Sequence, residues 1–308
     1  MTSTSPSASP TDARTDAPAA STPGPTLAAP TLAAPALASA VSSDGTAIAY
    51  RVLGDPAARP LVLIHGWAQS SASWGQDVLN ELARRFRVVA IDLRGHGHSD
   101  VPAGGYDSAP QWADDVEAVL DSAGITEDSG AILLGWSYGG VVVADYLAAR
   151  GEGRVGGIVL CGAVTSLSRS AGGAIGPAMK EVTSGGAFDE KPSVALAAFT
   201  SFGNAMMRSG SGADGQRILG LSLSTPPAVR QALLTRKVDN DETLRGLTIP
   251  ALVLHGAHDG VVLPSAGRAN AEMIPGGRYV EFAESAHAPF LEETPRFLAE
   301  LDEFAASL

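Results

Sequence analysis

The chain has 308 residues, of which 45% are hydrophobic, enough to bury a substantial core. Its formal net charge of −12 argues against nucleic acid or an anionic membrane surface as a partner. No apolar run approaches the roughly 20 residues that span a bilayer, and the single cysteine, Cys161, excludes an intrachain disulfide. These features agree with a soluble enzyme and leave its oligomeric state open.

The first forty residues differ in composition from the rest of the chain. Residues 1–40 consist mainly of Ala, Pro, Ser and Thr, and Thr-Leu-Ala-Ala-Pro occurs twice, at 26–30 and 31–35. Such a composition cannot bury enough surface to offset the entropy lost on ordering. We therefore expect a disordered leader. It lacks the basic start and the continuous apolar segment of a secretory signal, so we expect a cytoplasmic protein.

From Ser42 onward, turn signals and apolar runs alternate. Ser43-Asp44-Gly45 predicts a turn before the first long strand, and Pro110 lies near the start of a predicted helix. Predicted strands cover 47–53, 61–65, 87–91, 131–136, 157–161, 251–255 and 279–282, and predicted helices cover 71–85, 108–123 and 141–150. The alternation indicates an α/β fold, a mostly parallel sheet with helices on both faces. The first two strands, joined by a turn, are expected to form an antiparallel edge.

Gly135-Trp136-Ser137-Tyr138-Gly139 follows an apolar strand and opens a helical segment. A strand, Gly-x-Ser-x-Gly and a helix in this order are typical of a nucleophile elbow, a tight turn that exposes a serine hydroxyl above the sheet edge. Glycines are needed two residues to either side because a Cβ there would collide with neighbouring backbone. The helix behind Ser137 also directs its N–H groups and dipole towards any negative charge that forms there.

A serine hydroxyl becomes a good nucleophile only when a base takes its proton, so the elbow requires a histidine oriented by a carboxylate. Chains with this elbow carry the three residues in the order serine, acid, histidine. Asp259 follows the predicted strand 251–255, and His287 follows the predicted strand 279–282. Ser137, Asp259 and His287 are therefore predicted at the ends of three different strands.

Alternatives to this acid and base are less well placed. His258 is adjacent to Asp259 but precedes it, and Glu284 lies only three residues before His287, which is poor geometry for orienting that ring. Some relatives of such enzymes carry the acid one strand earlier, where this chain has Cys161-Gly162-Ala163-Val164 and no carboxylate.

These motifs resemble the α/β-hydrolase superfamily over about residues 40–308, which implies the α/β-hydrolase fold, with its core at 41–163 and 246–308. His65-Gly66-Trp67 resembles the family's His-Gly motif after the third strand. The resemblance implies that the backbone N–H groups of Trp67 and Tyr138 form an oxyanion hole, each worth on the order of 3 kcal/mol. Residues 92–99 resemble the family's mostly architectural loop after the fourth strand.

Residues 164–245 interrupt the strand and helix alternation with broken helical runs around 193–207, 214–223 and 227–238. An insertion here, after the sixth strand, resembles the family's helical lid, which covers the serine and shapes substrate choice. The residues expected to line the substrate pocket are large and apolar, although packing between lid helices explains each of them as well. They are Trp67, Trp136, Phe188, Phe199, Phe202, Met206 and Met207.

A metal site is the main chemical rival. His96, His98 and Asp100 resemble the His-x-His-x-Asp motif of metallo-β-lactamase-type hydrolases, which bind zinc. The next residue is Val101 rather than the further histidine that this motif needs. We therefore expect no metal and no organic cofactor.

The combined motifs predict a serine hydrolase that cleaves a carboxylic ester of a small or medium-sized molecule through an acyl-enzyme. Ser137 argues against the epoxide hydrolase and haloalkane dehalogenase branches, which attack with an aspartate. Carbon–carbon bond hydrolases, lactonases and cofactor-free haloperoxidases or perhydrolases remain as alternatives, and so does a non-enzymatic receptor for a small ligand. Short motifs, including Ala286-His287-Ala288-Pro289-Phe290, also resemble the pimeloyl-carrier-protein methyl ester esterases.

Overall fold

The structure, a computed structural model, describes residues 36–167, 174–208 and 212–308, together with Met1. Within these residues, eight strands form one sheet in the order β1-β2-β4-β3-β5-β6-β7-β8. The strands are β1 (Ala36–Val41), β2 (Ala47–Leu53), β3 (Pro60–Ile64), β4 (Arg87–Ile91), β5 (Ala131–Trp136), β6 (Val155–Cys161), β7 (Ala251–Gly256) and β8 (Arg278–Phe282). β2 runs antiparallel to both β1 and β4, and every other neighbouring pair is parallel. The predicted mostly parallel sheet is confirmed. The prediction that the first two predicted strands, at 47–53 and 61–65, form an antiparallel edge was wrong, because β4 lies between them and β1 forms that edge with β2.

The central strands are apolar along their whole length because helices cover both faces of the sheet. Every residue of β3, β5 and β7 is buried. A strand buried on both faces has no reason to alternate polar and apolar residues, so it appears in the sequence as a continuous apolar run. The carboxyl ends of these parallel strands meet at one edge, and the loops that leave them carry the predicted site residues.

Helices connect the strands. They are α1 (Gln76–Ala83), α2 (Ala109–Ser122), α3 (Gly139–Arg150), α4 (Pro177–Ser184), α5 (Pro192–Met206), α6 (Gly212–Ser224), α7 (Pro227–Thr235), α8 (Asp241–Arg245), α9 (Pro264–Met273), α10 (Pro289–Glu292) and α11 (Thr294–Ala306). The predicted helices at 108–123 and 141–150 are confirmed as α2 and α3. The helix predicted over 71–85 is divided, because Gly75 has a φ of +79° and separates a 3₁₀ turn at Ser71–Trp74 from α1.

The insertion between β6 and β7 is helical, as predicted, and holds α4 to α8. The runs expected around 193–207, 214–223 and 227–238 correspond to α5, α6 and α7, whereas α4 and α8 were not predicted because glycine, serine and short length obscure their periodicity. Among the described residues, no helix has the length and apolarity that a bilayer crossing requires.

The boundary of the predicted leader was wrong at its C-terminal end. Residues 36–40 form most of β1, which pairs with β2 along its whole length, from Ala36 opposite Val52 to Val41 opposite Ala47. Backbone pairing with a neighbouring strand orders a segment whose small side chains give little hydrophobic signal. The rest of the predicted leader, residues 2–35, lies outside the described residues.

Candidate active site

Ser137 occupies the turn between β5 and α3, in a backbone conformation that is unfavourable for serine. Its φ is +55°, and among the described residues only Ala68 is another non-glycine residue with positive φ. Such a conformation costs about 1–3 kcal/mol and persists only where the surroundings enforce it. Here the Ser137 N–H donates to the Cys161 carbonyl at 3.0 Å, and the Ser137 carbonyl accepts from Gly140 and Val164. These bonds tie the turn to β6 and to the start of α3.

The glycines of the elbow are required by close backbone approach. A Cβ at Gly139 would lie 2.2 Å from the Ile64 carbonyl oxygen, and a Cβ at Gly135 would lie 2.6 Å from the Gly139 carbonyl carbon. Real Cβ atoms do not approach backbone so closely. The turn therefore fits between β3 and α3 only with glycine at both positions, as the sequence predicts.

Asp259 and His287 are adjacent although 28 residues separate them in the chain. His287 Nδ1 lies 2.7 Å from Asp259 Oδ2, and both side chains are buried. Asp259 is on the loop after β7 and His287 is on the loop after β8, and these two strands pair in the sheet. The fold thus brings the predicted acid and imidazole into hydrogen-bonding contact.

The Asp259 carboxylate is held on both oxygens. Oδ1 accepts the backbone N–H groups of Val261 at 2.8 Å and Val262 at 2.9 Å. Oδ2 contacts the rings of His287, at 2.7 Å, and His255, at 3.2 Å. Burial alone raises the pKa of Asp259, but the two imidazoles outweigh it and hold the pKa well below its ordinary value. Asp259 is therefore ionised at neutral pH.

The backbone of His287 is fixed by two elements that are distant in sequence. The Trp136 indole Nε1–H donates to the His287 carbonyl at 2.8 Å, and the His287 N–H donates to the Met206 carbonyl at 3.0 Å. The first contact joins His287 to the strand before Ser137, and the second joins it to the last residue of α5 in the insertion. Neither His287 Nε2 nor Ser137 Oγ forms a hydrogen bond with a described residue, so both atoms are free to contact a bound molecule.

Two backbone N–H groups beside Ser137 are also without partners. Neither the Trp67 N–H nor the Tyr138 N–H donates to any described residue. Strained residues adjoin both, since Ala68 follows Trp67 and Ser137 precedes Tyr138, and each has a φ of +55°. Unpartnered donors on backbone held under strain are what an oxyanion-binding site requires.

His65 fixes the loop that carries Trp67. Its Nε2 accepts the Leu93 N–H at 3.0 Å, so the proton is on Nδ1, which donates to the Gly66 carbonyl at 2.8 Å. Burial lowers the pKa of His65 to about 4, so the ring is neutral. His65 thus connects the loop after β3 to the loop after β4 and sets the direction of the peptide before Trp67.

Two small cavities adjoin Ser137 and share part of their walls. One contains about 210 Å³ of space and is lined by Gly66, Trp67, Gln69, Trp136, Ser137, Met179, Phe202, Met206, Val261 and His287. The other contains about 300 Å³ and is lined by Trp67, Ser137, Tyr138, Val164, Leu167, Ile175, Met179, Leu234, Val261 and Val262. Their walls come from the core and from the helical insertion. Apart from Tyr138, His287 is the one titratable side chain among the residues that line them.

Four of the seven predicted pocket residues line these cavities, namely Trp67, Trp136, Phe202 and Met206. Phe188, Phe199 and Met207 do not, so the prediction was wrong for them. Phe188 and Phe199 instead pack against the Trp67 indole, with ring centroids 6.4 and 5.7 Å away. Met207 is buried in the core. Met179, which lines both cavities, was missed because α4 was not predicted.

The rival residues have other roles. His258 is exposed, and Glu284 forms an ion pair with Arg208 at 2.5 Å. His96 Nδ1 hydrogen-bonds the Arg94 carbonyl inside the protein, whereas His98 is 56% exposed and contacts Asp92. Within the described ranges, no three His, Cys, Asp or Glu side chains converge as metal ligands.

The strand order and the strained serine turn place the chain in the class of α/β hydrolases. Residues 61–301 match the alpha/beta hydrolase family, and the chain belongs to it. The esterase RhEst1 from Rhodococcus sp. ECU1013 is similar in structure, with 52% sequence identity and a TM-score of 0.85 over 88% of this chain and 99% of that one.

Curated relatives are of two kinds. The pimeloyl-[acyl-carrier protein] methyl ester esterase of Vibrio cholerae is 30% identical over 267 residues, which cover 84% of this chain and 98% of that protein. The non-heme chloroperoxidase of Streptomyces lividans is 41% identical over 123 residues, which cover 40% of this chain and 43% of that one. The predicted resemblance to ester hydrolases is thus confirmed at the level of the family.

Proposed function

We propose that the protein is a serine esterase that hydrolyses small, uncharged carboxylic esters through an acyl-enzyme. The observation that carries the proposal is the grouping of Ser137, the Asp259–His287 pair and two unpartnered backbone N–H groups at two adjoining cavities that share Trp67 and Ser137. Each of these groups has a defined role in acyl transfer, and the arrangement needs no further group from outside the chain.

The reaction has two balanced halves. Ser137 Oγ attacks the ester carbonyl carbon while His287 Nε2 takes its proton, and the oxyanion receives hydrogen bonds from the N–H groups of Trp67 and Tyr138. The carbon–oxygen bond to the alcohol then breaks, and His287 returns the proton to the departing oxygen. Water next gives a proton to His287 and its oxygen to the acyl carbon. The bond from that carbon to Ser137 Oγ then breaks, His287 returns the proton to Oγ, and the acid leaves. Asp259 keeps the His287 proton on Nδ1 in the resting state and stabilises the imidazolium.

The cavities support a small substrate. The spaces beside Ser137, about 210 and 300 Å³ including the part open to solvent, are narrow and walled by large side chains such as Trp67, Trp136 and Phe202. We assign the acyl and alcohol parts of the ester to the two cavities, both of which adjoin Ser137. Neither cavity is lined by Lys, Arg, Asp or Glu, so an uncharged ester suits them better than one with a free carboxylate. The helical insertion acts as the lid that supplies Met179, Phe202 and Met206.

Perhydrolysis is a second candidate, supported by the 41% identity to a non-heme chloroperoxidase over 123 residues. Hydrogen peroxide in place of water would release a peracid from the same acyl-enzyme. Assaying ester turnover with and without peroxide, with peracid measured by bromide oxidation, separates the two activities.

The central test is Ser137→Ala, compared with Ser224→Ala as a control at an exposed serine. With p-nitrophenyl acetate and butyrate, we expect Ser137→Ala to lose at least about 1,000-fold in kcat and Ser224→Ala to match the parent protein. A fluorophosphonate should label Ser137, with mass spectrometry locating the adduct. Unchanged turnover in folded Ser137→Ala would end the proposal.

A further inference from the structure

His255 is a buried histidine beside the acid of the proposed site, and it takes part in no step of the proposed acyl transfer. It is the fifth residue of β7 and is fully buried. Its Nε2 lies 3.0 Å from the Val262 carbonyl oxygen and 3.2 Å from Asp259 Oδ2. Asp259 Oδ2 is also the oxygen that contacts His287. One carboxylate oxygen is therefore shared by two imidazole rings.

The partners of His255 fix which nitrogen carries the proton. A backbone carbonyl only accepts, so the 3.0 Å contact with the Val262 carbonyl requires a proton on Nε2. That proton also lies within reach of Asp259 Oδ2, in a three-centre arrangement. Nδ1 has no hydrogen-bond partner among the described residues. His255 thus directs its polarised N–H bond towards the Asp259 carboxylate.

We propose that His255 is a positioning residue that holds the Asp259 carboxylate in place and moderates its pull on the His287 proton. The inference rests on the proposed function, because it assigns Asp259 and His287 their roles in acyl transfer. His255 acts at two points. It contacts Oδ2 directly, and it holds the carbonyl of Val262, whose N–H binds Oδ1.

Charged and titratable groups occur on each element that neighbours His255. They are Cys161 at the end of β6, Arg268 on α9, Tyr279 and Glu281 on β8, and Asp259 and His287 on the loops. Glu281 forms an ion pair with Arg268 and accepts the Tyr279 hydroxyl, so its charge is offset locally. Burial raises the pKa of Cys161, which keeps the thiol neutral. Asp259 is the remaining charge that the His255 N–H contacts.

The role predicts a direction for the pH dependence. Without the His255 N–H, the Asp259 carboxylate has one donor fewer and attracts an imidazolium at position 287 more strongly. A base that holds its proton more firmly requires a higher pH before it can act. Loss of the His255 donor should therefore move the acidic limb of the kcat/KM profile to higher pH, whereas a purely structural role for the ring would leave this limb in place.

The experiment compares three variants. His255→Leu removes the donor at similar volume, His255→Gln keeps an N–H near the position of Nε2, and His258→Ala alters an exposed histidine nearby. With p-nitrophenyl acetate, we expect His255→Leu to lower kcat/KM about 10-fold and to shift the acidic limb up by about half a pH unit. We expect His255→Gln to restore the limb and His258→Ala to match the parent. A folded His255→Leu protein with an unshifted or downshifted limb would overturn the proposal.

A measurement on the unaltered protein decides the matter if His255→Leu does not fold. Two-bond ¹H–¹⁵N correlations of the histidine rings report which nitrogen carries the proton. We expect Nε2 for His255, and a proton on Nδ1 alone would contradict the proposal, since such a ring could not donate to Asp259. This readout does not depend on turnover. If the parent protein hydrolyses no ester while His255 has its proton on Nε2, the proposed function fails and the geometry of His255 stands.

Discussion

Replacing Asp259 by asparagine tests the electrostatic part of the proposed mechanism while changing few atoms. The two backbone N–H groups on Oδ1, from Val261 and Val262, both require an acceptor. The amide oxygen of the introduced side chain must therefore take the Oδ1 position, which places the amide NH₂ where Oδ2 was. This NH₂ would face His287 Nδ1, which lies 2.7 Å from Oδ2 in the parent protein. The His287 proton then has to move to Nε2, the atom that should accept the proton of Ser137.

The consequences can be estimated from this donor and acceptor arrangement. The wrong tautomer should lower kcat/KM by about 10³–10⁴-fold, which is about 4–5.5 kcal/mol of transition-state stabilisation. The NH₂ also opposes the N–H of His255, 3.2 Å from Oδ2, and two facing donors should lower the free energy of unfolding by about 1–3 kcal/mol. Activity is measured with p-nitrophenyl acetate and stability by urea unfolding, with Asp128→Asn as an exposed control. A folded Asp259→Asn protein that keeps more than a tenth of the parent kcat/KM would refute the reasoning.

Two further predictions concern the elbow and the buried histidines. Gly139→Ala places a Cβ 2.2 Å from a rigid carbonyl on β3, so we expect kcat to fall at least about 100-fold, whereas Gly220→Ala, in open space on α6, should raise stability by about 0.5–1 kcal/mol. Equal kcat values for the two variants would show that the elbow tolerates the displacement. Burial lowers the pKa of His65 to about 4 and that of His96 to about 3, against 6.5 in the unfolded chain. The unfolded state therefore binds these protons first, and the free energy of unfolding should fall by about 2 kcal/mol between pH 6 and 5. Urea titrations that give the same value at pH 7 and pH 5 would contradict this prediction.

The elbow and the contact between Asp259 and His287 were predictable because each depends on short segments at strand ends. Gly-x-Ser-x-Gly specifies a backbone turn through residues that are local to it. Asp259 and His287 each follow a strand, and parallel strands bring their carboxyl ends to one edge whatever the details of packing. The chain order of the three residues then left few alternatives among six histidines. Topology alone was sufficient for this part of the site.

The cavity walls and His255 depend on packing between distant segments. Phe188, Phe199 and Phe202 look equivalent in sequence and all three pack on Trp67, yet only Phe202 also lines a cavity beside Ser137. Phe188 lies between α4 and α5, and Phe199 precedes Phe202 by one turn of α5, so tertiary packing decides between them. His255 stands in an apolar run, where a histidine usually indicates a hydrogen-bonded core residue. Its contact with Asp259 arises because the turn after β7 folds the chain back on itself. The carboxylate four residues further along the chain thereby reaches the His255 ring. No periodicity signals such a turn.

The hydrogen bond from His287 to the Met206 carbonyl has a consequence for protein engineering. Exchanging the insertion between relatives is an obvious route to new substrate preferences, since its helices supply much of the cavity wall. In this chain the graft would also replace a residue that hydrogen-bonds the backbone of His287, the proposed proton acceptor. Chimeras should therefore keep the last turn of α5 from the recipient, or altered selectivity will be confounded with a misaligned imidazole.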